Sequence, residues 1–471
     1  MTVAKGLVAL PAVTVSGAGE RSRSRTTLTG WGRTSPSSAY TTAVTQPDDV
    51  MEVVRRGSSR GVLARGLGRS YGDSAQNAGG EVLLMEHMAS THSFDPDTGI
   101  LDVDAGASVD SIITEFLPLG WFVPVSPGTR AVTVGGAIAA DVHGKNHHAV
   151  GSFGMHVRSL DLVAGDGTVR TLSPESTPDQ FWATVGGMGL TGVIIRARVT
   201  LQKVPSSSLL VETQRCDGLD ELMARQVELD QQHRYVVAWI DCLTKGPRLG
   251  RGVITAGDFA AVSALPAERA ADPLAYEPGR KVPTPPFVPS GLLNRFSVAA
   301  FNEAWFRKAP RSKTDEIQSM ATFFHPLDGV QGWNRLYGPA GFVQYQFVVP
   351  ESGAEVVRTA IERLSAIGAA SFLGVLKRFG DASPAPLSFP MPGWTLALDI
   401  PTGVVGLADT LDDLDELVAH AGGRIYLAKD SRLRPRWLPA MYPRLAEWRA
   451  VRDDMDPHGV FVSDQFRRLQ P

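Results

Sequence analysis

Glycine crowds into the first 200 residues of this 471-residue chain, in three clusters that restrict the fold more than any other feature. The first is Leu63-Ala-Arg-Gly66-Leu-Gly68-Arg69-Ser70-Tyr71-Gly72-Asp73. The second couples the turn Pro127-Gly128-Thr129 to Val132-Thr-Val-Gly135-Gly136-Ala-Ile-Ala-Ala140, and the third is Gly186-Gly187-Met188-Gly189-Leu190-Thr191-Gly192. Glycine enters turns closed to other residues and lets the backbone approach a ligand, so that successive N–H groups face outward. Loops of this kind cradle pyrophosphate. Turn formation alone explains one of them. Three, two with a Gly-Gly pair and one with an Arg-Gly-x-Gly-Arg-Ser core, read as the wall of a cofactor site.

The stretch Gly187 to Gly192 spells G-x-G-x-x-G, but a dinucleotide fingerprint needs strand, loop and helix in that order. Here Phe181-Trp-Ala-Thr-Val185 before it is helical in pattern and Val193-Ile-Ile195 after it is a strand. An NAD-binding Rossmann site is therefore rejected. Around the loops, strands are read at Val62-Leu-Ala64, Val82-Leu-Leu-Met85, Ile100-Leu-Asp-Val-Asp104 and Val193–Val199, with a hairpin over 160–172 turning at Asp166-Gly167. Ser108 is the expected cap of a helix burying Ile112, Ile113, Phe116 and Leu117. Beyond about residue 206 glycine thins out. The proline-rich stretch from 267 to about 300 reads as a mobile surface loop. Strand, helix, strand and strand follow from Ala340 to Asp399, the helix presenting Val356, Ile361, Leu364 and Ile367 on one face. A helix at Leu407–His420 stops at Gly422-Gly423, and a strand at Arg424–Ala428 leads into a helical C-terminus.

Composition narrows the function. A net charge of −3 with scattered basic residues offers nucleic acid no stripe to bind, and the Arg21 to Arg25 cluster reads as solvated tail. Two cysteines, Cys216 and Cys242, exclude zinc ribbons, iron–sulfur clusters and a disulfide framework; buried thiols are expected, with one disulfide as the alternative. His143, His147, His148 and His156 fall close together, which makes a zinc hydrolase the rival from another enzyme class. No H-E-x-x-H motif, no nearby cysteine and no close carboxylate except Asp141 accompany them, so no metal site is assigned. No run of about 18 apolar residues exists to span a membrane. The stretch Gly6–Val15, broken by Pro11, is a poor signal peptide, so residues alone read as cytoplasmic.

The first 200 residues resemble the FAD-binding domain of vanillyl-alcohol oxidase, or PCMH-type, flavoproteins. The resemblance rests on Ala64–Gly72, Asp102-Val-Asp-Ala-Gly106, Pro127-Gly128-Thr129 and Val134-Gly135-Gly136. Three further segments extend it over nearly the whole chain: Ala139-Ala-Asp-Val-His143-Gly-Lys145-Asn-His-His148, Tyr337-Gly-Pro-Ala-Gly341-Phe-Val-Gln-Tyr-Gln346 and Tyr426-Leu-Ala-Lys429-Asp-Ser-Arg432. These are similar to the decaprenylphosphoryl-β-D-ribose oxidase family, the flavin subunits of a mycobacterial epimerase. The resemblance implies an α+β fold: a PCMH-type FAD-binding domain with a separate α+β substrate domain on an antiparallel sheet. The expected division is a disordered tail at 1–17, the FAD domain at 18–206, the substrate domain at 207–423 and a C-terminal return at 424–471.

The resemblance also assigns residues. It places FAD against the first loop through Ala64, Arg65, Gly66, Leu67, Gly68, Arg69, Ser70, Tyr71, Gly72, Asp73 and Ser74. The second loop contributes Gly128, Thr133, Val134, Gly135 and Gly136, followed by Ala140, Asp141, Val142 and His143; Ile194 and Tyr426 complete the set. Related sugar-lactone oxidases bond a histidine to the flavin where this chain has Arg69, which cannot form that bond. FAD is therefore expected to be non-covalent.

Oxidising an alcohol with flavin takes a hydride acceptor, a base for the hydroxyl proton and a cation or donor near the charge that develops on the flavin. Lys429, His143 and Lys145 are the catalytic candidates: the last two emerge directly from the second loop, and the resemblance sets Lys429 near the flavin pyrimidine. His143 as a packing residue and Lys429 as solvated surface are the competing readings. For the substrate, Gln344 and Gln346 alternate onto one strand face, and the resemblance puts the second in the pocket. Lys377 lies among apolar residues and needs a partner, either a substrate phosphate or an internal carboxylate. Tyr71, Phe379 and Thr395 join them by resemblance, with Ala397 where many relatives have cysteine and Phe324 where relatives have tyrosine. A thiol at 397 and a hydroxyl at 324 are thus not essential here.

The implied reaction oxidises the ribose 2-hydroxyl of a polyprenyl-phosphoryl sugar, with an NAD(P)H-dependent short-chain reductase completing epimerisation for cell-wall arabinan. Peripheral membrane association in the cell envelope (periplasm) goes with it. The alternatives are an aldonolactone or sugar-alcohol oxidase and a non-catalytic flavin-binding subunit.

Overall fold

The computed structural model describes residues 23–470 except 278, 280, 281 and 290, so the expected tail at 1–17 lies outside the described residues. The glycine-rich part builds two small sheets. Strands Arg23–Leu28, Ser37–Ala43, Glu81–Leu84 and Val62–Arg65 lie side by side in that order, the last three mutually parallel. Parallel neighbours need crossovers. Helix Pro47–Arg56, burying Val50, Val53 and Val54, provides one, and the first glycine loop provides the other.

The second sheet is antiparallel, in the order Thr91–Asp95, Ile100–Asp104, Val193–Thr200, Val157–Val163 and Val169–Leu172. The expected hairpin is there, with Gly167 at φ 76° and the Asp166 carboxylate accepting from the Thr168 amide at 2.9 Å. Helix Val109–Phe116 begins in a capping box: Ser108 Oγ accepts from the Ser111 amide at 2.9 Å, and Ser111 Oγ accepts from the Ser108 amide at 3.1 Å. The third loop has helix Pro178–Thr184 before it and strand Val193–Thr200 after it, the reverse of a Rossmann unit.

The remaining chain folds on one eight-stranded antiparallel sheet. Its order is Ser312–Ser319, Ser208–Cys216, Gly252–Phe259, Tyr235–Ile240, Gly374–Phe379, Gly393–Pro401, Phe342–Val349 and Arg424–Ile425. Alternation gives it two faces. Tyr345, Phe347, Val349, Leu376, Leu396 and Leu398 point to one side and pack on helices Leu219–Asp230, Glu355–Ala366 and Leu407–His420. Each such burial contributes about 2 kcal/mol. The opposite face looks toward the glycine loops.

Three expectations need correction. The strand at 424–428 stops at Ile425: the chain turns after Tyr426, whose carbonyl accepts from the Lys429 and Asp430 amides at 2.9 and 3.0 Å. The C-terminal return thus leaves from the edge of the large sheet. The loop at 267–300 contains helix Ala267–Ala270, a short parallel pairing of Val282–Pro283 with Val330–Gln331, and the first turns of helix Arg295–Lys308, capped by Asn294. Helix Glu355–Ala366 buries Val357 and Ala360 beside Ile361 and Leu364, while Val356 is half-buried and Ile367 falls past its end. Both cysteines are buried thiols, as expected.

Helix Asp464–Leu469 closes the molecule. Arg468 reaches Asp73 of the first glycine loop and Asp430 beside Lys429, both at 2.8 Å. Replacing Arg468 with alanine leaves two facing carboxylates without their cation. Urea unfolding should show a loss of about 2 kcal/mol, partly recovered by lysine, which lacks the forked geometry. An unchanged midpoint would contradict this account.

Candidate active site

A cavity of about 450 Å³ lies between the free face of the large sheet and the three glycine loops, a volume within the range of ligand pockets. Its loop wall is backbone held close. A Cβ on Gly66 would collide with Thr133 Oγ1, and one on Gly72 with the Asp430 carbonyl. Gly128 and Gly189 are different: both line the cavity, and a Cβ there would meet only open space. Bare backbone therefore faces the void from the second and third loops. This is a cradle shaped for a ligand with phosphates, and it fits FAD.

The sheet wall is fixed by register. Gln344 pairs with Asp399, and Ala397 pairs with Gln346 on one side and Val375 on the other. Thr395 stands beside Lys377. All seven side chains share the face that lines the cavity. His143, arriving from the second loop, is the link between the walls. Its Nδ1 accepts from Lys377 Nζ at 3.1 Å, and its Nε2 meets the Gln346 amide at 3.0 Å. The same amide reaches Thr395 Oγ1 at 3.3 Å. Tyr426 donates to the Ala140 carbonyl at 2.8 Å, and the Tyr71 amide donates to the Ala428 carbonyl at 3.0 Å, which joins the first loop to the segment carrying Lys429.

Burial governs the electrostatics. Desolvation holds His143 well below its ordinary pKa, helped by the charge on Lys377 and by His147, so the imidazole is neutral. Desolvation, then the charges on Lys145 and Lys429, bring Lys377 down to about 7. Lys429 is lowered by burial, against the pull of Asp399, and Asp399 is raised by its own burial. The Lys429 ammonium sits 3.9 Å above the Tyr71 ring centroid, a cation–π contact. Arg69 lies 4.3 Å over the Trp31 ring.

Most residues expected at the site line the cavity: Ala64, Gly66 to Tyr71, Ser74, Gly128, Thr133, Gly135, Gly136, Ala140, Val142, His143, Ile194, Gln344, Gln346, Lys377, Thr395, Ala397, Tyr426 and Lys429. Others stand behind the wall. Lys145 points away, donating to the Phe323 carbonyl with its ammonium 4.4 Å over that ring. Its own carbonyl accepts from the Val236 amide at 2.9 Å, which ties it to the large sheet. Phe324 packs among Phe122, Tyr235 and Phe259. Phe379 backs His143 and His147, with ring centroids at 4.7 and 4.6 Å.

Asp141 is fully buried and accepts from Ser152, Ser383 and Ser388 hydroxyls and the Gly154 amide. Arg65 donates to the Ala75 and Thr29 carbonyls, and Asp73 is held by Arg468. Gly72 is pressed on the Asp430 carbonyl, and Val134 is fully buried. The histidines diverge: His148 and His156 engage the His233 and Val150 carbonyls. Among the described residues no group of three or more metal-ligating side chains forms.

Two features escaped sequence reasoning. Asp399 lines the cavity two positions beyond Ala397, and strand alternation from Thr395 could have found it. The segment 327–333 also lines the cavity, drawn there by Asp328, which accepts from Thr129 Oγ1 at 2.6 Å and the Arg130 amide at 2.8 Å. No local signal marks that long-range pairing.

Comparison with known proteins agrees with this geometry. The family model described as FAD binding domain matches residues 38–173, and that described as D-arabinono-1,4-lactone oxidase matches residues 406–469. Decaprenylphosphoryl-beta-D-ribose oxidase of Mycolicibacterium smegmatis is 45% identical over 448 residues, 94% of this chain and 97% of that protein. An uncharacterized protein of Streptomyces coelicolor is 44% identical over 362 residues, 75% of this chain and 97% of its own length. Cytokinin dehydrogenase 5 of Oryza sativa subsp. japonica is 34% identical over 172 residues, 33% of this chain and 32% of that protein. This chain is an FAD-dependent oxidoreductase, and it belongs to the decaprenylphosphoryl-β-D-ribose oxidase family.

Proposed function

We propose that this enzyme oxidises the ribose 2-hydroxyl of decaprenylphosphoryl-β-D-ribose to the 2-keto sugar, using FAD held without a covalent bond. The observation that carries the reading is one cavity in which Lys377, Gln344, Gln346 and Thr395 of the sheet wall, with Lys429 on the turn past the sheet edge, confront the glycine loops. Bound FAD supplies a hydride acceptor that gains negative charge as it is reduced. Lys429 is the cation set against that charge, and burial strengthens it. Gln344 and Gln346 suit sugar hydroxyls, and Lys377 suits the phosphate. Neutral His143 stands between the two side chains, its Nδ1 3.1 Å from Lys377 Nζ and its Nε2 3.0 Å from Gln346 Nε2, and so positions both.

The keto product calls for a partner that returns hydride to the sugar, and an NAD(P)H-dependent short-chain reductase fills that role. A polyprenyl tail ties the work to a membrane surface, with peripheral association in the cell envelope. Among the described residues no helix is long and apolar enough to cross a membrane. A second reading, oxidation of an aldonolactone, is favoured by the D-arabinono-1,4-lactone oxidase match at 406–469.

Three measurements test these readings. Acid precipitation should release the flavin band near about 450 nm into the supernatant; colour retained in the pellet would refute non-covalent binding. Under anaerobic conditions a short prenyl-phosphoryl ribose should bleach the flavin and an aldonolactone should not. The reverse result establishes the second reading.

The pH profile tests Lys429. Its ammonium is charged below its lowered pKa and neutral above it, so kcat at saturating substrate, where the bound phosphate holds Lys377 charged, should fall as pH rises, well before the value near 10.4 of an ordinary lysine. Lys429→Arg should carry the plateau to higher pH, and Lys429→Met should lose about 100-fold or more in bleaching rate. An alkaline limb left in place by both variants would remove Lys429 from this role.

A further inference from the structure

Six large apolar side chains stand in solvent within one stretch of chain: Val282, Phe287, Leu292, Phe296, Phe301 and Trp305. Phe296 is 84% exposed, Phe287 71% and Val282 64%, values that no packing inside the molecule explains. Isolated exposed apolar residues are ordinary, whereas a run of this size marks an interaction surface. The run frames the mouth of the cavity. Val282 pairs with Val330, which lines the cavity and is itself exposed.

On the other side, Leu293 packs on the cluster of Trp333, Tyr337 and Phe342, against which Tyr71, Phe372 and Leu373 also pack; Trp333, Tyr71 and Leu373 belong to the cavity wall. Phe301 stacks on Trp305 at 6.1 Å and meets Phe372 edge-on at 5.8 Å. Apolar contact is thus continuous from Leu373, inside the cavity, to Trp305, outside. Charge accompanies it: along this helix and the strand after it Glu303 pairs with Arg307 and Glu316 with Lys313, while Arg295, Lys308 and Arg311 are exposed cations against Asp315. Exposed aromatic side chains bordered by basic ones are the composition of a surface that rests on an anionic lipid interface.

We propose that this surface, from Val282 to Trp305, seats the enzyme on an anionic bilayer with the cavity mouth against the lipid. The substrate tail then stays among acyl chains while the phosphate and sugar reach Lys377 and Lys429. The role given to the tail rests on the lipid-linked sugar reading above; the surface itself is tested without any sugar.

The test is flotation of the FAD-loaded enzyme with vesicles of phosphatidylcholine containing about one-third phosphatidylglycerol. The wild type should float with them and less with phosphatidylcholine alone. Phe287→Ser combined with Phe296→Ser should partition about tenfold more weakly, because two exposed phenyl rings no longer insert. Both positions are so exposed that folding should hold, verified by an unchanged flavin spectrum. Val169→Ser, an exposed apolar position on the second sheet, should float like the wild type. Wild type left at the bottom of the gradient, a double variant floating undiminished, or equal flotation with neutral vesicles would overturn the proposal. The sugar reading fails separately, as absence of bleaching by a short soluble substrate in a wild type that still floats.

Discussion

Two ammonium groups, those of Lys377 and Lys429, are buried on one wall of the cavity, and the carboxylate on that sheet face, Asp399, is itself pushed toward its neutral form. Charge buried without full compensation is costly, and the groups shift their pKa values to reduce that cost. The structure offsets it with weaker partners. Lys377 donates to a neutral imidazole, and Lys429 rests on the face of a phenol ring. Neither partner carries negative charge, so an anionic ligand entering the cavity meets cations already oriented and already stripped of water. That is the arrangement expected of a site rather than of a structural ion pair.

Holding such a wall in place requires contacts across large separations in sequence. His143 joins Lys377 and Gln346 from more than 200 positions away. Asp141, two residues before it, is locked by serines at 383 and 388, so the second loop cannot shift without disturbing the segment that follows the sheet strand Gly374–Phe379. The C-terminal return does the same for the first loop. It leaves the edge of the large sheet at Ile425, presents Lys429, and is tied back through Arg468 to both Asp430 and Asp73. Loop wall and sheet wall are therefore one construction.

Glycine loops, the reversed order around Gly187 to Gly192, the Ser108 cap and the Asp166-Gly167 hairpin were legible because each depends on a few neighbouring residues. Strand alternation made Gln344 and Gln346 legible in the same way. What stayed hidden depends on tertiary pairing. Asp328 is unremarkable in sequence and acquires its place only by meeting Thr129 and Arg130. The stretch after residue 267 has the proline content of a loop, yet Asn294 caps a helix within it through the amides of Phe296 and Ser297. A cap of that kind outweighs local composition once the following turn can pack Val298, Asn302 and Phe306.

Lys145 shows where proximity in sequence misleads. It stands two residues from His143, yet the two side chains find partners on opposite sides of the wall. Lys145 ends in an apolar pocket under Phe323, where desolvation brings it down to about 7. It still bears on the site, since its charge is the largest electrostatic influence on Lys377 after burial itself. A cation behind the wall favours the neutral form of the cation in it. The tripeptide His143-Gly144-Lys145 thus acts on the cavity twice, once through a hydrogen bond and once through a field, and contact alone would have registered only the first.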